Sequence, residues 1–275
     1  MWGWRWVKAS QTGTRHAAAG AACEDTCGAR LIDAGAGEVL ILAVADGAGS
    51  SRLAGIGAQE ALGHFLDGAS RALRAGSAPP CEAALRGWLG EARGHLAGLA
   101  EMSARPLSAF STTLLVAILA DSWAAYVQIG DGAIIVESDV PGEWGWMFAP
   151  HKGVYANETT FLTHEAAASL AHVSICEDAP QEIALFTDGL ENLLIREGAE
   201  RRVVDSFFNE MMVPVRKAGE AGEDRDLSKA LAVYLAGEAI NARTDDDKTL
   251  ILATRRTGAR PALADSAHTK EARSS

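Results

Sequence analysis

The sequence predicts one domain that mixes α-helices with β-strands, and three observations favour this class. Several short, continuously apolar segments end at an Asp-Gly pair or begin after acidic residues, which is typical of buried strands. Two long amphipathic patterns follow one another across a short breaker, which is typical of paired helices. With 275 residues, 48 % of them hydrophobic, the chain can bury a sizeable core, and no linker divides it.

The segment around which the rest is organised is VLILAVADGAGSS, residues 39–51. Its apolar, β-branched-rich first half predicts a buried strand, and Asp46 follows that strand beyond the sheet edge. Glycines let the backbone come close, so side-chain and carbonyl oxygens together can hold a cation. The same Asp can instead cap the helix that starts near Ser51, and this stretch alone leaves both interpretations open.

The other elements follow from periodicity and turn residues. Trp2, Trp4 and Trp6 alternate with other residues and predict a first strand. Residues 11–27 predict a loop that delivers the acidic pair Glu24–Asp25. Helices are predicted over 51–75, 82–102, 189–213 and 225–241, and further strands over 110–120, 123–130, 133–137, 170–176, 182–187 and 248–254. Asp121–Ser122 predicts a two-residue hairpin, and 138–168 predict short strands and a long flap.

Composition excludes several classes of protein. The formal net charge of -11 argues against a nucleic-acid surface, whereas clustered carboxylates are what hard divalent cations require. The four cysteines form no CxxC pair, which predicts reduced thiols in a cytoplasmic protein. The N-terminus lacks a secretory signal, and the longest apolar runs are far too short to span a membrane, so no membrane partner is expected.

Acidic residues at several strand ends form the candidate site. The strands predicted before Asp46 and Asp188 end at these acids, and a third strand begins just after Asp246. Asp131 lies in a turn, and Glu24–Asp25 end a loop. Strand ends of a sheet gather at one edge, so these carboxylates can converge. Carboxylates that lie so close repel one another unless protons or cations lie among them. Oxygen ligands favour Mg²⁺ or Mn²⁺, and two such ions can promote displacement at phosphorus.

The ordered motifs resemble those of the metal-dependent protein serine/threonine phosphatases, the PPM or type 2C family. The motifs are CED at 23–25, VADGAGS at 44–50, FSTTLL at 110–115, QIGDG at 128–132, FTDG at 186–189 and DDKTL at 246–250. Each motif is weak alone, but six in order at family-like separations are specific. The resemblance runs from about Gly13 to Ala253, and GTRHAAAGAACED and YANETTFL look like a bacterial branch.

The resemblance implies an α+β fold, a four-layer α-β-β-α sandwich of two mainly antiparallel sheets flanked by helices. The phosphatase domain would span 1–255, with a disordered tail at 256–275. It implies hydrolysis of phosphoserine and phosphothreonine by direct attack of a metal-bridging water, without a phosphoenzyme, on phosphoprotein substrates made by a partner kinase. Two Mn²⁺ or Mg²⁺ ions and a weaker third ion are implied. Carried over by position, Asp46 would be the ligand that bridges the first two metals. The first metal would also be bound by the carbonyl of Gly47, by Asp188 and by Asp246. Glu24 and Asp25 would act at the second metal, and Asp131 at the third.

Three departures from the family pattern affect expectations for this site. Many members have His where this chain has Ala48, a phosphate-binding Arg where it has Gly20, and a third-metal acid where it has Asn192. Arg15 and His16 lie in the loop that leads to the acidic pair and can substitute, as phosphate contacts or, for His16, as a proton donor. Alternatively, both residues shape the loop or face solvent.

Two other functions fit parts of the sequence. The strand followed by DGAGSS also resembles a nucleotide- or S-adenosylmethionine-binding turn, but it lacks the third glycine of GxGxxG, and Asp46 would repel a pyrophosphate. A pseudophosphatase that binds phosphoproteins or regulates a partner is the stronger alternative. Loss of a metal carboxylate would favour it, and the four core carboxylates are all present.

Overall fold

The structure, a computed structural model, describes residues 3–35, 37–49, 51, 53–76, 78–149, 159–196 and 201–256. Its strands are β1 (Arg5–Gln11), β2 (Thr26–Asp33), β3 (Glu38–Ala45), β4 (Leu114–Leu119), β5 (Ala124–Ile129), β6 (Ala133–Glu137), β7 (Trp144–Trp146), β8 (His172–Cys176), β9 (Glu182–Phe186), β10 (Ile195–Arg196), β11 (Arg202–Val203), β12 (Gly222–Glu223) and β13 (Lys248–Thr254). Its α-helices are α1 (Thr14–Ala18), α2 (Ala54–Ala75), α3 (Glu82–Met102), α4 (Ala167–Leu170), α5 (Glu191–Leu194), α6 (Asp205–Lys217), α7 (Arg225–Leu235) and α8 (Glu238–Asn241).

Two large sheets form the centre of the protein. The five-stranded sheet has the order β2-β3-β4-β5-β8, and all its pairs are antiparallel. The six-stranded sheet has the order β12-β1-β13-β9-β6-β7, and only the short β1–β12 pair is parallel. Because β5 and β6 belong to different sheets, the turn at 130–132 carries the chain from one sheet to the other.

The packing of β3 shows how the layers are arranged. Leu40, Leu42 and Val44 face the other sheet, where they pack in one core with Trp4 and Trp6 of the N-terminal segment. The alternate residues of β3 face α2 and α3 and form a second core with those helices. A third core lies between the six-stranded sheet and helices α6 and α7. The predicted four-layer α-β-β-α sandwich is therefore confirmed, and burial on both faces explains why β3 is apolar from Val39 to Ala45.

Several predicted elements are found where the periodicity placed them. The helices predicted over 51–75 and 82–102 correspond to α2 and α3, and the last strand, 248–254, is β13. The hairpin at Asp121–Ser122 is also confirmed, because Ala120 and Trp123 are hydrogen-bonded across it. Trp2 and residues 150–158 of the predicted flap lie outside the described residues. No helix in the described ranges is long and apolar enough to cross a membrane.

Other predicted boundaries are wrong. The helix predicted over 189–213 is interrupted by a hairpin in which Ile195 pairs with Val203, and α6 begins only at Asp205 and continues through Pro214. β-branched residues on both sides of this hairpin favour strand geometry over a continuous helix. The helix predicted over 225–241 breaks at Gly237, whose backbone is extended. The predicted loop 11–27 contains α1, and β2 was not predicted.

The C-terminal segment is described only as far as Arg256. This residue, the first of the predicted tail, forms an ion pair with Glu137 at 2.8 Å. The remainder of the predicted tail, 257–275, lies outside the described residues.

Candidate active site

The predicted acidic residues meet where the edges of the two sheets come together. Asp46 follows β3 in the five-stranded sheet, whereas Asp188 follows β9 and Asp246 precedes β13 in the six-stranded sheet. Because β9 and β13 are antiparallel neighbours, the end of one lies beside the start of the other. The expectation that the ends of one sheet create the cluster therefore needs correction, because two sheets contribute to it.

Asp46 lies at the centre of the first acidic group. Its carboxyl group lies near the carboxyl groups of Asp25 and Asp188, close enough for their charges to act on it. Burial raises the pKa of Asp46, and the negative charges of Asp25 and Asp188 raise that pKa further. Burial also raises the pKa of Asp25 and of Asp188. Carboxyl groups this close must share protons or surround cations, because like charges cannot all ionise at such short separation.

Threonines hold the backbone and side chains of this group in place. Thr112 Oγ1 and the Thr113 amide both donate to the carbonyl oxygen of Asp46, at 2.9 and 2.8 Å, and the Asp46 amide donates to Thr113 Oγ1 at 2.9 Å. Thr187 Oγ1 donates to Asp25 Oδ2 at 2.7 Å. These threonines were not predicted as site residues. Their sequence signal was their place in the recognised motifs: Thr112 and Thr113 lie in FSTTLL, and Thr187 directly precedes Asp188 in FTDG.

Two glycines allow the segments that carry the acids to touch. A Cβ atom on Gly47 would lie 2.6 Å from the carbonyl carbon of Ala54 and 2.9 Å from the carbonyl oxygen of Glu24. A Cβ on Gly189 would lie 1.8 Å from the carbonyl oxygen of Asp247. Any larger residue would push these segments apart, so the glycine of each Asp-Gly pair is required by packing.

Glu24 belongs to a second acidic group. Burial raises the pKa of Glu24, the His16 side chain lowers it, and the charges of Asp247 and Asp246 raise it. The Glu24 carboxylate therefore lies among residues of the β13 end. Asp246 connects the two groups, because its charge also raises the pKa of Asp188.

Asp247 was missed by sequence reasoning as a site residue, although it is the most highly connected acid of this second group. It is 4 % exposed, and its carboxylate accepts from the amides of Gly13 and Glu24, each at 2.6 Å. His16 Nδ1 lies 2.9 Å from Asp247 Oδ2, although the ring is not aligned for a hydrogen bond. Asp247 therefore fixes the 13–24 loop against the start of β13. The run of three acids before this strand was its only sequence signal.

Arg15 and His16 lie next to the loop that contains Ala48. Arg15 forms an ion pair with Asp246 at 2.7 Å, and its side chain is 54 % exposed. A Cβ atom on Gly49 would lie 3.7 Å from His16 Nε2 and 3.8 Å from Arg15 Nη2. His16 Nε2 is 3.9 Å from Glu24 Oε2. Gly20, by contrast, is exposed and has nothing within 4 Å of a built Cβ.

Asp131 lies at the edge of the first group. Its charge raises the pKa of Asp188, and its Oδ2 accepts a hydrogen bond from Thr159 Oγ1. On the other side of Asp188, Asn192 and Asp246 line a polar cleft of about 480 Å³. Asp131 and Asn192 thus both lie near Asp188.

The donor set fits a hard divalent cation better than any other group. Oδ1 of Asp25 and Oε2 of Glu24 are buried without a hydrogen-bond donor in the described part of the chain. Buried carboxylate oxygens need a proton or a cation, and an all-oxygen set suits Mg²⁺ or Mn²⁺. Among the described residues, however, no three His, Cys, Asp or Glu side chains are already arranged as a metal-binding group. The predicted ligands are therefore brought together without forming one closed coordination shell.

Comparison with known proteins gives consistent results. A family model described as Protein phosphatase 2C matches residues 12–236, a range that ends before Asp246. The chain is 31 % identical over 255 residues to Serine/threonine-protein phosphatase 3 of Escherichia coli K12, covering 91 % of this chain and 98 % of that protein.

Solved structures show the same fold at low sequence identity. The catalytic domain of the serine threonine protein phosphatase PstP, in complex with two manganese ions, has a TM-score of 0.60 at 19 % identity and covers 92 % of this chain and 98 % of its own. A bacterial serine phosphatase has a TM-score of 0.64 at 16 % identity, with the same coverage. Stp1 from Staphylococcus aureus has a TM-score of 0.62 at 16 % identity and covers 90 % of this chain and 94 % of its own.

Proposed function

The chain belongs to the protein phosphatase 2C family, and we propose that it hydrolyses phosphoserine and phosphothreonine in proteins with the help of two Mn²⁺ or Mg²⁺ ions. The observation that carries this proposal is the burial of Asp46 beside the carboxyl groups of Asp25 and Asp188, where segments of the two sheets meet. Such a group is stable in its ionised form only with cations among its members. The manganese ions of the similar PstP catalytic domain also support it.

Each metal position draws on residues that the fold brings together. We propose Asp46 as the bridging ligand, with the Gly47 carbonyl, Asp188 and Asp246 at one ion and with Glu24 and Asp25 at the other. Asp131 would contribute to a weaker third ion. When bound, the two ions supply an activated water and stabilise the charge that develops on the phosphoryl group.

The protein's own part in the reaction is to orient these groups. The threonine hydrogen bonds fix the backbone on either side of Asp46, so its carboxylate has a defined direction. Water would attack phosphorus directly, with no phosphoenzyme, as the family resemblance implies.

Arg15 and His16 are proposed to take over the roles of the residues missing at Gly20 and Ala48. The Arg15 guanidinium is exposed enough to reach a substrate phosphate and lies beside the Gly49 backbone. His16 Nε2 faces the same loop and can donate a proton to the seryl leaving group. Asp247 would act as a positioning residue, because it holds the loop that carries both side chains.

The cellular context is also a proposal. The substrates would be phosphoproteins in the cytoplasm, modified by a partner serine/threonine kinase. The free thiols of Cys23, Cys27, Cys81 and Cys176 fit a reducing compartment. The net charge of -11 fits a protein that binds neither nucleic acid nor an anionic membrane surface.

Metal-dependent turnover tests the proposal. The purified chain, stripped with EDTA, should not hydrolyse a phosphoserine peptide, and added Mn²⁺ or Mg²⁺ should restore activity. Asp46→Asn should remain folded, lose turnover and bind metal more weakly, because a charge between two dications is removed. Asp67→Asn, on the exposed face of α2, is the matched control and should behave as wild type.

Two outcomes would contradict the proposal. Full turnover by demetallated protein would exclude the two-metal mechanism, and near wild-type kcat in Asp46→Asn would show that the site is misplaced. Metal binding and phosphopeptide binding without turnover would instead favour the pseudophosphatase, which no observation on this chain supports at present.

A further inference from the structure

A cleft of about 710 Å³ lies beside the loop that follows Asp46. Its described walls come from the segment after β3, the segment between α3 and β4, and one further residue: Ala48, Ser51 and Leu53, then Arg105, Pro106, Ser108, Ala109 and Ser111, and finally Phe161. Ligand pockets in proteins have volumes of about 300–1,000 Å³, so this cleft has room for a short stretch of peptide. None of the residues assigned to the metal centre lines it.

Hydrogen bonds between the walls make this cleft a preformed part of the fold. Ser51 Oγ donates to the carbonyl oxygen of Ser108 at 3.0 Å, and the Ala48 amide donates to that of Ser111 at 2.9 Å. Ser111 Oγ is also 2.9 Å from Thr163 Oγ1, two residues beyond Phe161. The cleft is therefore tied to the same loop that positions Asp46.

Among the described residues, the lining combines apolar surface with one cation. Leu53, Ala109 and Phe161 offer apolar contacts, and Arg105 is the charged residue of the lining. The Arg105 side chain makes no hydrogen bond or ion pair with the described residues, and it is exposed. It follows Ala104, whose φ of 51° is in the left-handed region and turns the chain sharply after α3. Because Arg105 is exposed and pairs with no acid among the described residues, its guanidinium can pair with an acidic group of a bound peptide.

The cleft continues towards the metal centre on the far side of Phe161. A second cleft of about 350 Å³ shares Ser108 and Phe161 with the first and is also lined by Thr159. Thr159 is the hydrogen-bond donor to Asp131. A peptide lying in these two clefts would therefore pass close to the acidic groups.

We propose that the cleft beside Arg105 binds residues that flank the phosphoserine of a protein substrate. It selects segments in which an acidic side chain pairs with Arg105 and an apolar side chain packs between Leu53 and Phe161. This inference rests on the proposed phosphatase function and names the class of sequence that the same site prefers.

Charge reversal at Arg105 tests the inference in the full-length protein. The substrates are pairs of phosphoserine peptides that differ at one position beside the phosphoserine, where one peptide has Glu and the other has Lys. Each pair varies a different flanking position. Arg105→Glu is compared with Arg74→Glu, the same change near the other end of α2. About twenty residues of helix, or about 30 Å, separate Arg74 from the start of α2 at the cleft. A small aryl phosphate measures the metal centre separately.

The wild type should prefer the Glu peptide at one or more positions. Arg105→Glu should lower kcat/KM for that peptide by about five- to tenfold and favour the Lys peptide, because an attraction becomes a repulsion. The decrease in kcat/KM that Arg105→Glu shows on the aryl phosphate should be smaller than on the peptide. Arg74→Glu should keep the wild-type preference for the Glu peptide. The ratio of kcat/KM for the Glu peptide to kcat/KM for the Lys peptide measures this preference. The same ratio in the wild type and in both variants would overturn the inference.

A binding measurement separates this inference from the proposed function. If the metal-loaded wild type hydrolyses neither peptides nor aryl phosphate, the proposed catalysis is wrong. Fluorescence anisotropy with a non-hydrolysable phosphonate peptide still tests the cleft. Weaker binding of the acidic peptide by Arg105→Glu than by Arg74→Glu supports the cleft, and equal binding overturns it.

Discussion

The stability of the demetallated protein should fall as the pH rises from 5 to 7, and Asp46→Asn should reduce that fall. The reason is the burial of the Asp46 carboxyl group beside two others. Burial and the neighbouring charges raise its pKa well above 7, whereas in the unfolded chain an Asp has a pKa of about 4. The folded state therefore holds at least one proton that the unfolded state releases across this pH range.

The magnitude follows from proton linkage. A group whose pKa is raised on folding stabilises the folded state fully below its unfolded pKa, and this contribution is lost as the pH rises towards the folded value. One retained proton corresponds to a slope of about -1.4 kcal/mol per pH unit, or about 3 kcal/mol between pH 5 and 7. For a chain of this size, that loss lowers Tm by about 5–10 °C. Asn cannot hold that proton, so the variant should lack this part of the slope and should be more stable than the wild type at pH 7 without metal.

Thermal unfolding of EDTA-treated protein at several pH values measures the effect. Asp67→Asn serves as the control, because its side chain is 61 % exposed and should leave the slope unchanged. Added Mn²⁺ should stabilise the wild type most at pH 7 and should flatten its pH dependence, since cations replace the protons. A wild-type apoprotein whose Tm stays constant or rises from pH 5 to 7 would refute the argument that these carboxyl groups are buried in contact.

Two further predictions concern the segments around this group. His16→Ala should lower kcat/KM on a phosphoserine peptide far more than on an activated aryl phosphate, whereas Arg15→Ala should affect both alike, by roughly 1.5–3 kcal/mol. Both variants must first be shown to be folded. If neither then changes kcat/KM by even about threefold, Arg15 and His16 do not take over the roles of the missing family residues. Gly47→Ala should cost about 1–3 kcal/mol in urea unfolding, because its Cβ would meet backbone atoms of Ala54 and Glu24. Gly63→Ala, where a Cβ meets nothing within 4 Å, is the control, and equal stability of both variants would contradict the close packing.

The strands at the centre of the sheets were the most predictable part of the fold. β3 and β13 each have a neighbour on both sides and are largely buried on both faces, so each contains a continuous apolar run, 39–45 in β3 and 250–253 in β13. β2 lies at the edge of its sheet, contains Gly28 and Arg30, and is partly exposed. It therefore has no continuous apolar run that would predict a strand. The hairpin that interrupts the predicted helix 189–213 escaped detection for a related reason: its strands are only two residues long.

The candidate site was predictable as a set of residues, but its internal contacts were not. Motif order predicts which carboxylates belong to the site, and Asp46, Asp188 and Asp246 each follow or precede a recognisable strand, whereas Glu24–Asp25 precede β2, which was not predicted. Which pairs of acids touch depends on how the two sheets meet at their edges, and sequence spacing carries no information about that contact. The role of Asp247 illustrates this limit: its carboxylate binds amides of Gly13 and Glu24, more than 220 positions away in the chain.

The division of the acids into two groups has a consequence for Arg15. Asp247 accepts hydrogen bonds from two backbone amides, whereas Asp246 forms an ion pair with Arg15. A cation at Asp246 would take over the balancing of that charge and weaken its ion pair with Arg15. The guanidinium, already half exposed, would then be free to bind a phosphate beside the Gly49 backbone. We therefore expect metal binding and phosphate binding to be coupled through Arg15: Mn²⁺ should increase phosphate affinity in the wild type more than in Arg15→Ala.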